Sequence, residues 1–330
     1  MVLLLDREAI CSVFTMRDAI EADKRAFVLH SERRTQVPLR STLDVGKGKG
    51  QCLFMPAYAE GVEQAGVKIV SVFPGNAQKG KPVVPATMIL LDGETGEVDA
   101  LLDGTVLTQM RTAAISGAAT ELLARSDAST AALFGTGGQA EAQLEALLTV
   151  RALKKVFVFD VVRERTEAFV ERMAPLAARF GATLCAAASS DEAVEEAQVI
   201  TAVTTSPTPV FDGNRVAPGT HVNGVGAYRP DMQELDVRLL ERADRIFADS
   251  LDAVLAEAGD FLIPQAQGRF APERIAGELG DLLLGRVPGR TSPEEITVMK
   301  TVGFAALDVV SAAAIVKKAR EAKVGRTLEL

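Results

Sequence analysis

Thr130-Ala-Ala-Leu-Phe-Gly-Thr-Gly-Gly-Gln-Ala-Glu-Ala142 is an apolar run that breaks into glycines and continues as a helix-forming stretch, with Asp160 standing twenty residues beyond Ala140. The pattern reads as a dinucleotide site. Gly135 permits the tight turn after the strand, Gly137 removes the side chain that would keep the backbone from a pyrophosphate, and Ala140 is small enough for the helix to pack on its strand. Ala140, Leu144 and Leu147 recur at i, i+4 and i+7, a helical apolar stripe whose N-terminal amides would face the phosphates. A glycine triplet alone is weak evidence. Here strand, turn, helix, second strand (Lys155-Val-Phe-Val-Phe) and terminal Asp160 arrive in order.

Working outward, short apolar strands alternate with amphipathic helices from about Thr130 to Ser250. The strands are expected at Ala131 to Phe134, Val156 to Phe159, Thr183 to Ala187, Val199 to Thr204, Thr220 to Val225 and Arg245 to Ala248. Such alternation predicts an α/β architecture, a parallel sheet with helices on both faces. Residues 1 to 115 differ. A helix from Thr15 to Leu29, with Thr15 as its N-cap, precedes strands at Gln51 to Met55, Gly66 to Phe73 and Ala86 to Asp92. The turn-rich Asp92-Gly-Glu-Thr-Gly-Glu then joins a strand at Val98 to Leu102 as a hairpin. This part reads as antiparallel α+β. Helical periodicity resumes from Val309 to Ala319, and that last helix is expected to return to the first domain.

The 330 residues suffice for two domains, with 48% hydrophobic and 24% charged residues as in ordinary globular proteins. No apolar run approaches the eighteen or so residues of a membrane span, and the first apolar run is too short for a signal peptide, so no membrane partner and a cytoplasmic location are expected. Cys11, Cys52 and Cys185 lack CxxC spacing and read as core thiols, not as a disulfide framework or zinc site. A net charge of −8 without a basic block or any tryptophan argues against a nucleic-acid partner. His30 and His221 are the only histidines, too few for most metal sites; no metal is expected. His221 reads as a side chain at the head of a strand, with a catalytic role as the alternative.

Basic side chains mark the first domain. Lys68 is the single charge in Gly66-Val-Lys-Ile-Val-Ser-Val-Phe, and a buried lysine needs either a partner or a function. Arg111 lies among small residues in Leu107-Thr-Gln-Met-Arg-Thr-Ala-Ala-Ile-Ser-Gly, and its planar fork matches a carboxylate. Arg40, beside Pro38, is a third cation. The alternative for each is an ordinary ion-pair residue. After the fifth strand, Asn223-Gly-Val-Gly-Ala-Tyr-Arg-Pro-Asp-Met-Gln-Glu-Leu-Asp places Gly224 and Gly226 beside the cofactor, with Tyr228 and Arg229 directed to substrate. It also reads as a glycine-rich loop into a helix over Asp231 to Leu240, whose N-terminus Asp231, Glu234 and Asp236 would favour.

Five motifs in order, Gly66-Val-Lys-Ile-Val-Ser-Val-Phe-Pro-Gly-Asn, Leu101-Leu-Asp-Gly-Thr-Val-Leu-Thr-Gln-Met-Arg-Thr-Ala-Ala, Gly135-Thr-Gly-Gly-Gln-Ala, Asn223-Gly-Val-Gly-Ala and Lys300-Thr-Val-Gly-Phe-Ala, resemble the ornithine cyclodeaminase and mu-crystallin family along nearly the whole chain. The resemblance implies a homodimer with a substrate-binding and dimerisation domain, residues 1–118 and 305–330, and a Rossmann domain, residues 119–304. It implies substrate positions at Arg40, Lys68 and Arg111, with Arg111 also near the cofactor and Val302 beside the substrate. It implies cofactor contacts at Thr112, Gly138, Gln139, Asp160, Thr204, Val225 and Thr301, in addition to Gly135 and Gly137. True cyclodeaminases carry Gly-Gly-Asp-Cys-Pro-Gly-Lys after the fifth strand; their aspartate aligns with Tyr228, which cannot supply a carboxylate.

The sequence therefore points to reduction of the C=N bond of a small 2-imino acid to the L-amino acid. A cyclic ketimine such as 1-pyrroline-2-carboxylate or 1-piperideine-2-carboxylate is the expected substrate. Lys68 and Arg111 are the catalytic pair: Arg40 and Arg111 would clamp the carboxylate while Lys68 polarises or protonates the imine nitrogen. Asp160 would accept from the ribose hydroxyls and repel a 2′-phosphate, favouring NAD(H), with NADP(H) left open by Arg163 and Arg165. An alanine-type dehydrogenase, an ornithine cyclodeaminase using catalytic NAD and a non-enzymatic dinucleotide-binding protein are the alternatives.

Overall fold

Elements in the computed structural model, which describes residues 1–329, begin with β1 (Val2–Leu5), α1 (Arg7–Val13), α2 (Met16–Ser31), β2 (Thr35–Gln36), β3 (Ser41–Val45), β4 (Gly50–Ala59) and β5 (Gln64–Val72). Then come β6 (Ala86–Asp92), β7 (Val98–Asp103), α3 (Gly104–Leu123), β8 (Thr130–Phe134), α4 (Ala140–Val150), β9 (Lys155–Phe159), α5 (Arg163–Arg179), β10 (Thr183–Ala186) and α6 (Ser190–Glu195). The order continues with β11 (Val199–Ala202), β12 (His221–Gly224), α7 (Val237–Arg242), β13 (Arg245–Ala248), α8 (Leu251–Glu257), α9 (Gly259–Ala266) and β14 (Ile275–Glu278). It closes with α10 (Leu279–Leu283), β15 (Thr297–Lys300), α11 (Ala305–Ala322) and β16 (Arg326–Leu328). The chain divides into two compact units, residues 1–111 with 304 onward and residues 112–303. The sequence-based boundary at 118 falls inside α3, a helix with apolar residues on all sides that runs through the division.

In the first unit the sheet order is β16-β1-β7-β6-β5-β4-β2, with β3 on β4; β1 and β7 are parallel and the other pairs antiparallel. Alternation along the strands puts Met55, Lys68, Met88 and Leu102 on one buried face. Helix α11 packs there against β4, β5 and β6, and α2 packs against α11, so the last helix lies in the first unit. Thr15 caps α2 through a reciprocal capping box: its Oγ1 accepts from Asp18 N, and Asp18 Oδ2 accepts from Thr15 N. Such a cap contributes about 1 kcal/mol. The predicted β6–β7 hairpin forms, with Asp92 Oδ1 accepting from the amides of Glu94 and Thr95.

The second unit is an eight-stranded sheet in the order β10-β9-β8-β11-β12-β15-β13-β14, parallel throughout. Apolar cores lie around it, one including Leu144, Phe169 and Leu184, another Phe211, Leu239 and Phe261. Strand order reverses at β8, between β9 and β11. The neighbour of the fifth predicted strand is β15, which sequence reading left unassigned, and not β13.

Three expectations need correction. The helix foreseen over Asp231 to Leu240 is α7, which starts only at Val237 with Asp236 as N-cap; the residues before it form an extended loop whose Glu234 is fully buried. Of the cysteines, Cys11 is exposed and Cys52 and Cys185 are half-buried, so none is a core thiol. Arg229, expected to be directed to substrate, is partly exposed and engaged by Asp231.

Candidate active site

The parallel ladder aligns the strand ends of the second unit. Phe134, Phe159, Ala202, Gly224, Lys300 and Ala248 stand in register from β9 across to β13. Gly135, Asp160, Thr204, Val225 and Thr301 each follow their strand by one or two residues, so the parallel register brings all five to one carboxyl edge of the sheet. Ligands of open α/β sheets bind outside this edge, where strand order reverses.

Local geometry there fits a dinucleotide. Gly135 has φ +100°, and a Cβ on it would lie 2.9 Å from the Val203 carbonyl oxygen, so only glycine serves. A Cβ on Gly137 or Gly138 would meet no protein atom within 4 Å: the turn is open where a pyrophosphate would approach. Gln139 stands at the N-cap of α4 without a side-chain cap, and its Oε1 is buried and unpartnered. The helix N-terminus is thus left for an anion. Asp160 Oδ2 accepts from Thr136 N at 3.2 Å and Oγ1 at 2.8 Å, and Oδ1 accepts from Val162 N at 3.0 Å. Of a carboxylate's roughly four acceptor directions, one remains for a ribose hydroxyl. Arg163 pairs with Glu167 at 2.7 Å. Thr112 accepts through its carbonyl from Gln143 Nε2 at 3.2 Å.

Three buried carboxylates, not foreseen from sequence as site residues, hold the loops at this edge. Glu234 accepts from the amides of Thr204, Gly226 and Ala227. Behind it Asp260 accepts from Glu234 N and Leu235 N and pairs with Lys300 Nζ at 2.9 Å, all three side chains being fully buried. Burial pushes the Glu234 carboxyl up to about 7, with Lys300 opposing and Asp260 adding to the rise. Asp249 accepts from Thr301 Oγ1, from Val302 N at 3.1 Å and from Gly303 N at 2.6 Å. Val225 and Val302 are buried, and Tyr228 is half-buried against the apolar core. His221 is fully buried in β12, bonded to Thr297 and Asn223; burial holds it neutral, down at about 3. It is a structural strand residue.

Lys68 and Arg111 of the first unit meet at one buried carboxylate. Lys68 lies in register between Met55 and Met88 and is 1% exposed. Its Nζ stands 2.8 Å from both Oδ1 and Oδ2 of Asp308 on α11. Arg111 Nε on α3 lies 2.9 Å from the same Oδ1. Burial brings Lys68 down to about 7, Arg111 and the more weakly acting Arg40 adding to the fall, while Asp308 opposes it. Asp23 on α2 is fully buried beside Ser311 Oγ at 3.3 Å, and burial raises its carboxyl well above the usual range. Arg40 is half-buried just before β3. Sequence reading missed Asp308 and Asp23. Both were visible as charges on apolar faces, Asp308 within Phe304-Ala-Ala-Leu-Asp-Val-Val and Asp23 on the stripe of Met16, Ala19, Ile20 and Phe27.

A parallel sheet with a glycine turn at its reversal point and an acid closing the next strand defines a dinucleotide-binding α/β protein. More narrowly, the chain belongs to the ornithine cyclodeaminase/mu-crystallin family, whose profile matches residues 2–323. It is 38% identical over 314 residues to Delta(1)-pyrroline-2-carboxylate reductase of Bacillus cereus, covering 95% of each chain. With alanine dehydrogenase of Archaeoglobus fulgidus it shares 34% identity over 327 residues, 99% of this chain and 98% of the other. The structure of Thermococcus litoralis Delta(1)-pyrroline-2-carboxylate reductase in complex with NADH and L-proline superposes with a TM-score of 0.94 at 37% identity, covering 99% of this chain and 100% of that one.

Proposed function

We propose that this chain is an NAD(H)-dependent oxidoreductase that reduces the C=N bond of a small cyclic 2-imino acid, 1-pyrroline-2-carboxylate or its six-membered homologue, to the L-amino acid. The observation that carries the reading is the buried lysine–arginine pair, Lys68 and Arg111, in a chain whose relatives include reductases of this substrate class. Residues 1–111 and 304 onward supply the substrate's holders, and residues 112–303 hold the cofactor at Gly135, Gly137, Gly138, Gln139, Asp160, Thr204, Val225 and Thr301, with Thr112 close by.

Arg111 Nε lies in ion-pair contact with Asp308, and its two terminal nitrogens match a substrate carboxylate; Arg40 supplies the second charge. Lys68, brought down to about 7, can give a proton to the imine nitrogen near neutral pH. The bound nicotinamide supplies the hydride that the imine carbon takes. Tyr228 and Val302 border the substrate. Without a carboxylate at Tyr228, and with Asp231 engaged by Arg229, ornithine cyclisation is disfavoured. The outer face of the first sheet carries Ile69, Ile89 and Leu101, with Leu43, 56% exposed, on the same face by register, an apolar surface that supports a homodimer.

The test is cofactor oxidation with NADH and NADPH against both cyclic ketimines, pyruvate plus ammonia, and ornithine. The reading requires the fastest turnover with a cyclic ketimine and NADH. Preference for pyruvate plus ammonia would favour the alanine dehydrogenase alternative, and no turnover with any imine would overturn the reading.

A further inference from the structure

We propose that Asp308 is the positioning residue of this site: one carboxylate grips the Lys68 ammonium and the Arg111 Nε together, and thereby fixes which N–H groups each cation presents to the substrate and when Lys68 carries its proton. The proposal rests on the imine-reducing reading above. It starts from a contact spanning 240 residues of chain, Lys68 on β5 to Asp308 on α11. Lys68 has three N–H donors; one goes to Asp308 Oδ1 at 2.8 Å, while Oδ2, equally near, takes no hydrogen bond and holds the ammonium by charge alone. Donors remain for an imine nitrogen. Arg111 Nε stands 2.9 Å from the same Oδ1 as an ion-pair contact without a hydrogen bond, and its terminal edge is the one that matches a carboxylate bidentately.

The charge balance agrees. Two cations and one carboxylate leave the buried group one positive charge in excess, and a substrate carboxylate would cancel it. Beside that group, burial raises the Asp23 carboxyl well above the usual range against the pull of Arg111, and so favours its neutral form. The groups facing Asp308 are Lys68 from β5, Arg111 from α3 and Asp23 from α2, with Arg40 acting on Lys68 from farther off; β4 and β6 present Met55 and Met88. With so apolar a surround, Asp308 is the group that opposes the loss of the lysine proton. In the reaction the Lys68 ammonium gives its proton to the imine nitrogen as hydride from the reduced nicotinamide reaches the carbon. The C=N π pair becomes the N–H bond, and Lys68 regains a proton from solvent; Asp308 is unchanged.

The test compares the pH dependence of kcat in wild type and Asp308→Asn, alongside Lys68 titration by NMR of protein labelled at lysine Cε, with Lys68→Met assigning the resonance. Asp308→Asn should move both the alkaline limb and the Lys68 midpoint down by about one to three pH units. Asp308→Glu, which keeps the charge, should restore most of that shift. A folded Asp308→Asn with an unmoved limb and midpoint overturns the proposal. Should Asp308→Asn fail to fold, wild type labelled also at aspartate Cγ decides: Asp308 and Lys68 must shift at one common midpoint, and independent midpoints overturn the proposal. The NMR arm needs no turnover, so a wild type inert to imines would sink the functional reading while leaving this inference to be judged on the titration.

Discussion

Replacing Gly137 by alanine should move stability and cofactor affinity in opposite directions. Gly137 is not among the residues with positive φ, and a Cβ built on it meets nothing within 4 Å, so the folded chain accommodates alanine without strain. Losing glycine's freedom in the unfolded chain then stabilises the fold by about 0.4–1 kcal/mol. The same methyl group projects into the space where the backbone would approach a pyrophosphate. Displacing one charge-assisted hydrogen bond forfeits about 1.5–3 kcal/mol, which weakens Kd for NADH roughly ten- to hundredfold. Urea denaturation measures the first effect, and titration calorimetry with NADH the second. Unchanged NADH affinity in a folded Gly137→Ala protein would refute the placing of the pyrophosphate at this turn. Reduced stability would refute the claim that the space is empty of protein.

Other substitutions probe the rest of the account. Gly226→Ala puts a Cβ 1.9 Å from the Thr204 carbonyl oxygen and 2.4 Å from its nitrogen, so the loops must separate; a loss of about 3 kcal/mol or more in denaturant unfolding is expected. His221, held neutral down to about 3 by burial, contributes stability that is present above its ordinary 6.5 and lost as pH falls from there toward 3. Over that window wild type should lose on the order of 4 kcal/mol more than His221→Gln, seen as a flatter fall of Tm with acidification in the variant. Lys68→Met keeps the apolar packing between Met55 and Met88 and removes the proton donor. Its kcat should fall by about 10²- to 10⁴-fold with NADH affinity retained, and a fall of less than about tenfold would remove Lys68 from the chemistry.

What could be read from the sequence was local. The turn from Phe134 through Gly135 to Ala140 and the cap at Thr15 are decided within a few residues, and both form where the pattern placed them. Lys68 and Arg111 stood out as charges in apolar or small-residue surroundings. Strand order is not local: β15 slots between β12 and β13 although it follows β14 in the chain, and nothing in Thr297-Val-Met-Lys specifies its neighbours. Glu234 was misread because an acid two residues before the true N-cap, Asp236, mimics a helix start, whereas its three amide partners lie in two loops, one after β11 and one after β12. Asp308 carries the same lone-charge signal as Lys68, but only the folded pairing of β5 with α11 shows that the two charges are partners.

The fate of the hydride is the most direct measure of imine reduction. With NADH deuterated at the transferring position of the nicotinamide and 1-pyrroline-2-carboxylate as substrate, the protein should yield L-proline carrying one deuterium at its α-carbon, and Lys68→Met should yield it far more slowly. Unlabelled proline, or no product from the cyclic imine under conditions where NADH binds, would contradict it.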